Sequence, residues 1–373
     1  MTRRLRLAMI GGGQGAFFGA AHRAAARLTD RFELVAGAFS SDPARGAASA
    51  VELRVDASRS YPDFHALAEG EAARPDSAEV VAIVTPNHLH HAAARACLES
   101  GLHVICDKPV TTTLADALDL KRLVEASGLQ FAVTYTNAGY GLVRDARALV
   151  AEGHLGRVQV VRVEFPQEWL AAPVENSGNK QAEWRTDPAR SGAGSLADIG
   201  THAFHLAEYV SGLRCRSLCG DVRSVVPGRR VDDNADLLLR FEGGATGALW
   251  VSQVAIGQSG GLKLDVYGDR GALQWQASAP NRMLFSELGG RTEIIERAGR
   301  VTQHPGRLPA GHPEGFLEAL SQLYEDMAEK LFAVEEGRMP HAAAVASPGI
   351  VDGVRGLRMM EAALRSKGEW TDL

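Results

Sequence analysis

A strand-like apolar run that breaks directly into glycines, at the head of a regular alternation of apolar runs and helical stretches, restricts the fold of this chain most. Leu5, Leu7, Met9 and Ile10 form that run; Gly11, Gly12, Gly13, Gly15 and Gly19 follow, and an alanine-rich helical stretch continues through Leu28. Further apolar runs, Phe32 to Phe39, Val80 to Val84 and His103 to Cys106, are separated by helical stretches such as Ala92 to Glu99 and Ala115 to Ala126. Strands alternating with helices imply right-handed crossovers and a parallel sheet, whose ligands lie beyond the C-terminal strand ends. Those ends carry the glycines, Ser40, Thr85 and Lys108.

A glycine loop between strand and helix lets the backbone approach a pyrophosphate, whose charge is favoured by the free N–H groups and dipole of the helix N-terminus. The spacing is irregular. Counting from Gly11 and Gly13, the third glycine of a GxGxxG pattern falls on Ala16, and the next glycine is Gly19, followed by His22. The loop reads as lengthened by three residues.

After Tyr135 the pattern changes. A helix from about Leu142 to Glu152 leads to strand-like runs at Val158 to Phe165, Ser217 to Val226, Ala235 to Phe241, Thr246 to Val254 and Leu262 to Tyr267, with Gly268 to Gly271 as a turn before Leu273. Successive strands without helices predict an antiparallel sheet. The stretches Glu318 to Ala333 and Gly353 to Leu364 are expected to be helices covering it. Along Thr246 to Val254, alternation puts Ala248, Trp250, Ser252 and Val254 on one face and Gly247, Leu249, Val251 and Gln253 on the other. Only one face can be covered by the domain's own helices.

With 373 residues, 45% of them hydrophobic, the chain is long enough for two domains. A net charge of −5 argues against nucleic acid as a partner, because phosphate-backbone binding needs a concentrated basic face. No segment is long enough to cross a bilayer. Cys97, Cys106, Cys215 and Cys219 are too few for a disulfide framework, so a reducing cytoplasm is the expected compartment. Cys215 and Cys219, four apart on an expected strand, should pack on one face.

Four pieces carry chemistry: the glycine loop ending in His22; Thr85-Pro86-Asn87-His88-Leu89-His90; Asp107-Lys108-Pro109; and the run Gly194 to His202. In these pieces, their order and their separation, the chain resembles the Gfo/Idh/MocA oxidoreductases, the group of inositol dehydrogenases and glucose-fructose oxidoreductase. It departs at Asp107, where the family usually has glutamate. The resemblance implies an α/β protein: an N-terminal Rossmann dinucleotide-binding domain, residues 1–136, and a C-terminal α+β domain, residues 137–373, with a large, mainly antiparallel open sheet that binds substrate and pairs subunits.

It also implies Lys108, Asp198 and His202 as catalytic residues. A lysine at a strand end can hydrogen-bond a substrate hydroxyl and relay its proton, and a histidine can take that proton while a nearby carboxylate orients it or holds a second hydroxyl. Asp198, His202 and His205 have helical ligand spacing, as do His88, His90 and His91 in part, but no further ligand set stands beside either group, so no metal is expected. Gly11, Gly13, Gln14, Gly15, Ala16, Phe17, Ser40, Ser41, Thr85, Asn87, His90, Asp107 and Lys108 are the expected cofactor contacts. Tyr135, Trp184, Arg185 and His312 join the catalytic three as expected substrate contacts, since amides, an arginine and tryptophan faces suit a ring with many hydroxyls.

An acid at the end of the second strand would bind the adenosine ribose and repel a 2′-phosphate; Phe39 takes that place, followed by Ser40 and Ser41. NAD is the expected cofactor, with NADP the alternative. The expected activity is oxidation of a secondary hydroxyl of an inositol or glucose-like sugar, in a homodimer or tetramer without a nucleic-acid or membrane partner. The alternatives are a redox-assisted glycosidase and a non-catalytic nucleotide-binding regulator.

Overall fold

The computed structural model describes residues 3–299, 302–304 and 306–373. The chain divides into two compact units, one of Met1–Thr136 with Leu320–Val354 and one of Asn137–Ala319 with Arg355–Leu373.

In the first unit β1 (Leu5–Gly11), β2 (Phe32–Ala38), β3 (Val80–Val84), β4 (His103–Cys106) and β5 (Phe131–Val133) form a parallel sheet in the order β2-β1-β3-β4-β5. The strands are apolar runs because helices cover both faces of such a sheet. The order reverses between β1 and β3, and a crevice for ligands opens where it does.

The helix Phe316–Glu335 was expected on the second sheet. Instead Leu320, Tyr324, Met327, Ala328, Leu331 and Phe332 pack into the core of the first unit with Leu5, Leu7, Met9, Phe32 and Val80. The expected domain of residues 137–373 therefore cedes Leu320–Val354 to the first unit. Helical periodicity marks which face is buried but not which sheet it meets. Each of the leucine, methionine and phenylalanine side chains contributes about 1.5–3 kcal/mol of burial, enough to make the late helix integral to the early fold. The helix Ile350–Ser366 passes into the second unit at Arg355, whose guanidinium donates to Glu208.

The second unit is built on nine strands: β6 (Val158–Pro166), β7 (Cys215–Arg223), β8 (Asn234–Phe241), β9 (Thr246–Ser252), β10 (Lys263–Gly268), β11 (Gly271–Gln276), β12 (Arg282–Glu287), β13 (Thr292–Glu296) and β14 (Thr371–Asp372). Their order is β13-β12-β11-β10-β6-β9-β8-β7-β14, antiparallel except for the parallel pair β6 and β9. Helices Gly141–Ala151 and Thr201–Ser211 pack together, and the second lies on the sheet. Leu249 and Val251 are buried on one face of β9, while Ala248 and Trp250 are half-buried on the other.

Cys215 and Cys219 do not share a face. The register slips between Cys215 and Ser217, so Cys215 pairs with Phe241 and Cys219 with Leu238, on opposite sides of β8. One extra residue in a strand reverses every side chain beyond it. The polar stretch 166–193 contains short helices at Lys180–Arg185 and Pro188–Ser191, each opened by a side-chain cap from Asn179 or Asp187.

Candidate active site

In the first unit the glycine loop starts at the end of β1, with Gly11, Gly12 and Gly15 at φ of +78°, +72° and +78°. The helix Phe17–Thr29 follows, and Ala16 before it offers no side-chain cap. Gly19, in the first turn, is where the loop and the helix touch: a Cβ there would stand 2.3 Å from the Cα and carbonyl oxygen of Gly12. Gly19 thus does the close-packing job of the third glycine, three residues late. The N–H groups of Gly13 and Gln14 donate to Phe39 O (3.3 Å) and Ser49 Oγ (3.0 Å), which ties the loop to the end of β2 and to the helix Pro43–Leu53 that follows it. The first N–H groups of the helix have no acceptor within it and remain the anion-binding end. Phe17 itself is 72% exposed.

The loops after β3 and β4 meet at a buried histidine. The His90 ring lies 2.8 Å from Pro109 O and 2.9 Å from Thr85 O. Burial holds its pKa below the usual range, so the neutral ring donates to one carbonyl at a time. This side chain, expected among the cofactor contacts, is wholly buried and braces the two loops. Asp107 is held from behind: Thr134 Oγ1 donates to it at 2.6 Å and His22 Nε2 at 3.0 Å, and the His22 Nδ1 meets Tyr324 Oη at 2.8 Å. Burial alone would raise the Asp107 pKa, but the His22 ring and these hydrogen bonds outweigh it and hold it well below the usual carboxylate range. Lys108 comes next, half-buried, at a cis bond to Pro109.

This cradle fits the phosphates and ribose of a dinucleotide. Gly11, Gly12, Gly13 and Gly19 leave no room for side chains, Gly15 borders open space at a positive φ, and Thr85 Oγ1 at the reversal of strand order is buried without a hydrogen-bond partner among the described residues. Asn87, itself buried, opens the short turn Asn87–Leu89 that follows. Ser40 is half-buried and Ser41 exposed at the end of β2, whereas Phe39 is only 3% exposed, its ring under Gly37. Asp42 caps the next helix through the N–H of Arg45 (2.8 Å). Tyr135, expected at the substrate, is fully buried in the first unit.

In the second unit Asp198 lies in a π turn, Leu196–Gly200, that leads into the helix Thr201–Ser211 carrying His202. Such turns are rare and cluster at functional sites. Gln253 Nε2 donates to Asp198 Oδ2 at 2.8 Å, and Arg185 Nε approaches Oδ1 at 3.4 Å. Arg185 also donates to Gln181 Oε1 and lies 4.2 Å over the Trp184 ring. The Phe165 ring stands edge-on to His202 at 6.4 Å. Trp184, Arg185, Asp198 and His202 thus fall in one neighbourhood. His312 is exposed on a separate loop, its backbone oxygen accepting from Arg297. Gln253 was read from the sequence only as a strand residue; nothing local marks it, because its partner lies 55 positions away.

Residues 5–135 match the oxidoreductase family with an NAD-binding Rossmann fold, and residues 143–274 match the GFO/IDH/MocA C-terminal domain. The chain belongs to the GFO/IDH/MocA family. Within this family it is similar to an inositol dehydrogenase homolog from Azotobacter vinelandii. The structure of that protein with NAD+ is 39% identical, covers 100% of this chain and 98% of its own, and superposes with a TM-score of 0.94. A structure of the homolog with NADH and myo-inositol is 38% identical over 100% of this chain and 98% of its own, with a TM-score of 0.91. Uncharacterized oxidoreductase YfiI of Bacillus subtilis (strain 168) is 32% identical over 99% of this chain and 96% of its own length. Levoglucosan dehydrogenase of Pseudarthrobacter phenanthrenivorans is 27% identical over 84% and 82%. This GFO/IDH/MocA protein is an NAD-binding oxidoreductase. No helix among its described residues is long and apolar enough to cross a membrane.

Proposed function

We propose that the protein oxidises a secondary hydroxyl of an uncharged cyclitol or sugar ring, with myo- and scyllo-inositol first among the candidates. The observation that carries this reading is the Asp198 cluster. The guanidinium of Arg185 is already matched by the Asp198 carboxylate and by Gln181, so the group offers hydrogen bonds to hydroxyls without surplus positive charge for a phosphate. The myo-inositol bound to the Azotobacter homolog is such a ring. In this mechanism His202 accepts the hydroxyl proton, Lys108 polarises the same oxygen and shares the proton, and Asp198 fixes the ring through another hydroxyl. NAD supplies the hydride acceptor when bound, held by Gly11, Gly15, Ala16, Phe17, Ser40, Ser41, Thr85 and Asn87. A screen for NADH absorbance across inositol isomers, aldoses, levoglucosan, glycosides and sugar phosphates tests the reading. Turnover of phosphorylated sugars alone would overturn it, and cleavage of glycosides without net NADH would support a glycosidase instead.

The same reading includes a homo-oligomer in a reducing cytoplasm. Leu238, Leu284 and Ile294 are 55%, 37% and 63% exposed on the face of the sheet turned away from its helices. A second copy would cover them. Light scattering at micromolar concentration should give at least twice the 39.8 kDa of one chain, and a stable, active monomer would refute this part.

A further inference from the structure

The residues that precede β8 hold two adjacent buried acids, Asp232 and Asp233, 8% and 0% exposed. Asp233 accepts from the N–H groups of Val225 and Val226 at 2.6 and 3.0 Å and from Arg229 Nη1 at 3.0 Å. Arg229 in turn holds Glu175 and the carbonyls of Leu170 and Ala172, so this acid secures the loop before β8 and the segment before the Trp184 helix. Asp232 turns to the catalytic side. Its Oδ1 accepts from Gly194 N at 2.7 Å, and its Oδ2 from Ser195 Oγ and Leu196 N, both at 2.7 Å. Its backbone oxygen accepts from Ser195 N at 2.8 Å. Gly194 is obligatory at this junction, because a Cβ would stand 1.8 Å from Asp232 O.

These contacts fall where the π turn begins. A helix start leaves its first N–H groups without partners, and a π turn is a poor competitor of the α geometry unless something fixes it. Asp232 does so from 34 positions beyond Asp198, whose own N–H donates to Gly194 O at 3.0 Å in an α-type bond, while Thr201 N–H closes the π turn on Leu196 O. A second route runs through the adjacent residue: Asp233 O accepts from Gln253 N at 2.8 Å, and the Gln253 side chain reaches Asp198 Oδ2. The two-residue step at 232–233 therefore fixes both the backbone that carries Asp198 and the amide that orients its carboxylate.

We propose that Asp232 is a positioning residue for the reaction: by holding Gly194, Ser195 and Leu196 it sets the π turn, and through it the placing of Asp198 and His202 against the substrate. The inference rests on the polyol reading for its kinetic test but not for its structural one. Asp232→Asn keeps size and shape but replaces one accepting oxygen with an amide, so part of the Gly194, Ser195 and Leu196 set is lost. Displacement of reacting groups by about 1 Å is worth up to about a hundredfold. The variant should lose about ten- to a hundredfold in kcat and raise the polyol KM several-fold, with NADH affinity unchanged. Mere loss of folded protein would lower kcat and leave KM alone. Should Asp232→Asn not fold, Ser195→Ala removes a single donor and should move kcat and KM in the same directions, by less. Wild-type kcat and KM in whichever variant folds would overturn the proposal. If the wild-type enzyme turns over no polyol, the functional reading fails, and crystal structures decide this one. Retention of the π turn and of the Asp198 position in Asp232→Asn would sink it; conversion of Leu196–Gly200 to ordinary α geometry would support it.

Discussion

Each unit seats a hydrogen-bonded aspartate beside its candidate catalytic group, half-buried in the first unit and buried in the second, and the two aspartates are treated in opposite ways. Asp107, next to Lys108, faces the His22 ring and the Thr134 hydroxyl, and these overcome burial to keep it ionised. Asp232, behind Asp198 and His202, meets only neutral donors, and burial pushes its carboxyl above the usual range despite three hydrogen bonds. An acid with a basic partner fixes a charge beside a lysine; an acid among amides fixes a backbone. The support also comes from different distances. Asp107 is held by His22 of the helix Phe17–Thr29 and by Thr134 just past β5, with Tyr324 of the helix Phe316–Glu335 behind His22, whereas Asp198 depends on Gln253 at a strand end within its own unit.

The strongest test of the comparison asks whether both units contribute chemistry. Lys108→Ala and His202→Ala should each lower kcat by about two to four orders of magnitude, the range of a lost acid-base group, with NADH affinity little changed. Near-normal turnover in both would remove the proposed catalytic set. A smaller effect separates the binding half from the reacting half. Gly19→Ala forces a methyl group into the backbone of Gly12, and overpacking of this kind costs about 1–3 kcal/mol. NADH affinity should fall by about ten- to a hundredfold with melting temperature lowered; unchanged affinity would show that the loop and helix can separate without moving the phosphate site.

Legibility follows the same division. Four strands of the first sheet, β1 to β4, read directly from the sequence, β3 and β4 to the residue, because strands buried on both faces are unbroken apolar runs bounded by turns, whereas β5 is only three residues long. The motif residues stand at their ends and need no other part of the chain to be found. In the second sheet β6, β8 and β9 were visible through alternation, but β12 and β13 were not: Arg282, Glu287, Glu293 and Glu296 interrupt their apolar pattern, and only the pairing of Leu284 with Ile294 and Met283 with Ile295 reveals it. The bulge at Arg216 leaves no local mark and inverted the expected facing of Cys219. At the site, Trp184, Arg185, Asp198 and His202 were legible as motifs. Asp232, Gln253 and Tyr324 were not, because each acts through a partner far away in sequence. Phe39 was read as the ribose position from strand alignment, yet its ring is in the core, so the polar positions begin one residue later.

That shift sharpens the description of the cofactor side. Ser41 is exposed just after β2, where a carboxylate would oppose a 2′-phosphate. Ser41→Asp should raise the NAD/NADP ratio of kcat/KM by about tenfold, roughly one favourable charge contact. An unchanged ratio would move the ribose contact to Ser40 or beyond.

The smallest expected effect tests the contrast between the two aspartates through pH. Asp107 has a folded pKa below its unfolded value of about 3.9, so its contribution is present above that pH and is lost as pH falls through it toward the folded value. Asp232 has a folded pKa above the same reference, so its contribution is complete below about 3.9 and is lost as pH rises through the folded value. The asparagine variants should therefore differ in slope and not only in size. The melting temperature gap between wild type and Asp107→Asn should narrow on acidification below about pH 4, while the gap to Asp232→Asn should narrow on going above it. Each change is on the order of 1–2 kcal/mol, the scale of one hydrogen bond to a charged group. Parallel pH profiles for the two variants would mean that the acids share one electrostatic role, and the distinction between a charge-fixing and a backbone-fixing aspartate would have to be abandoned.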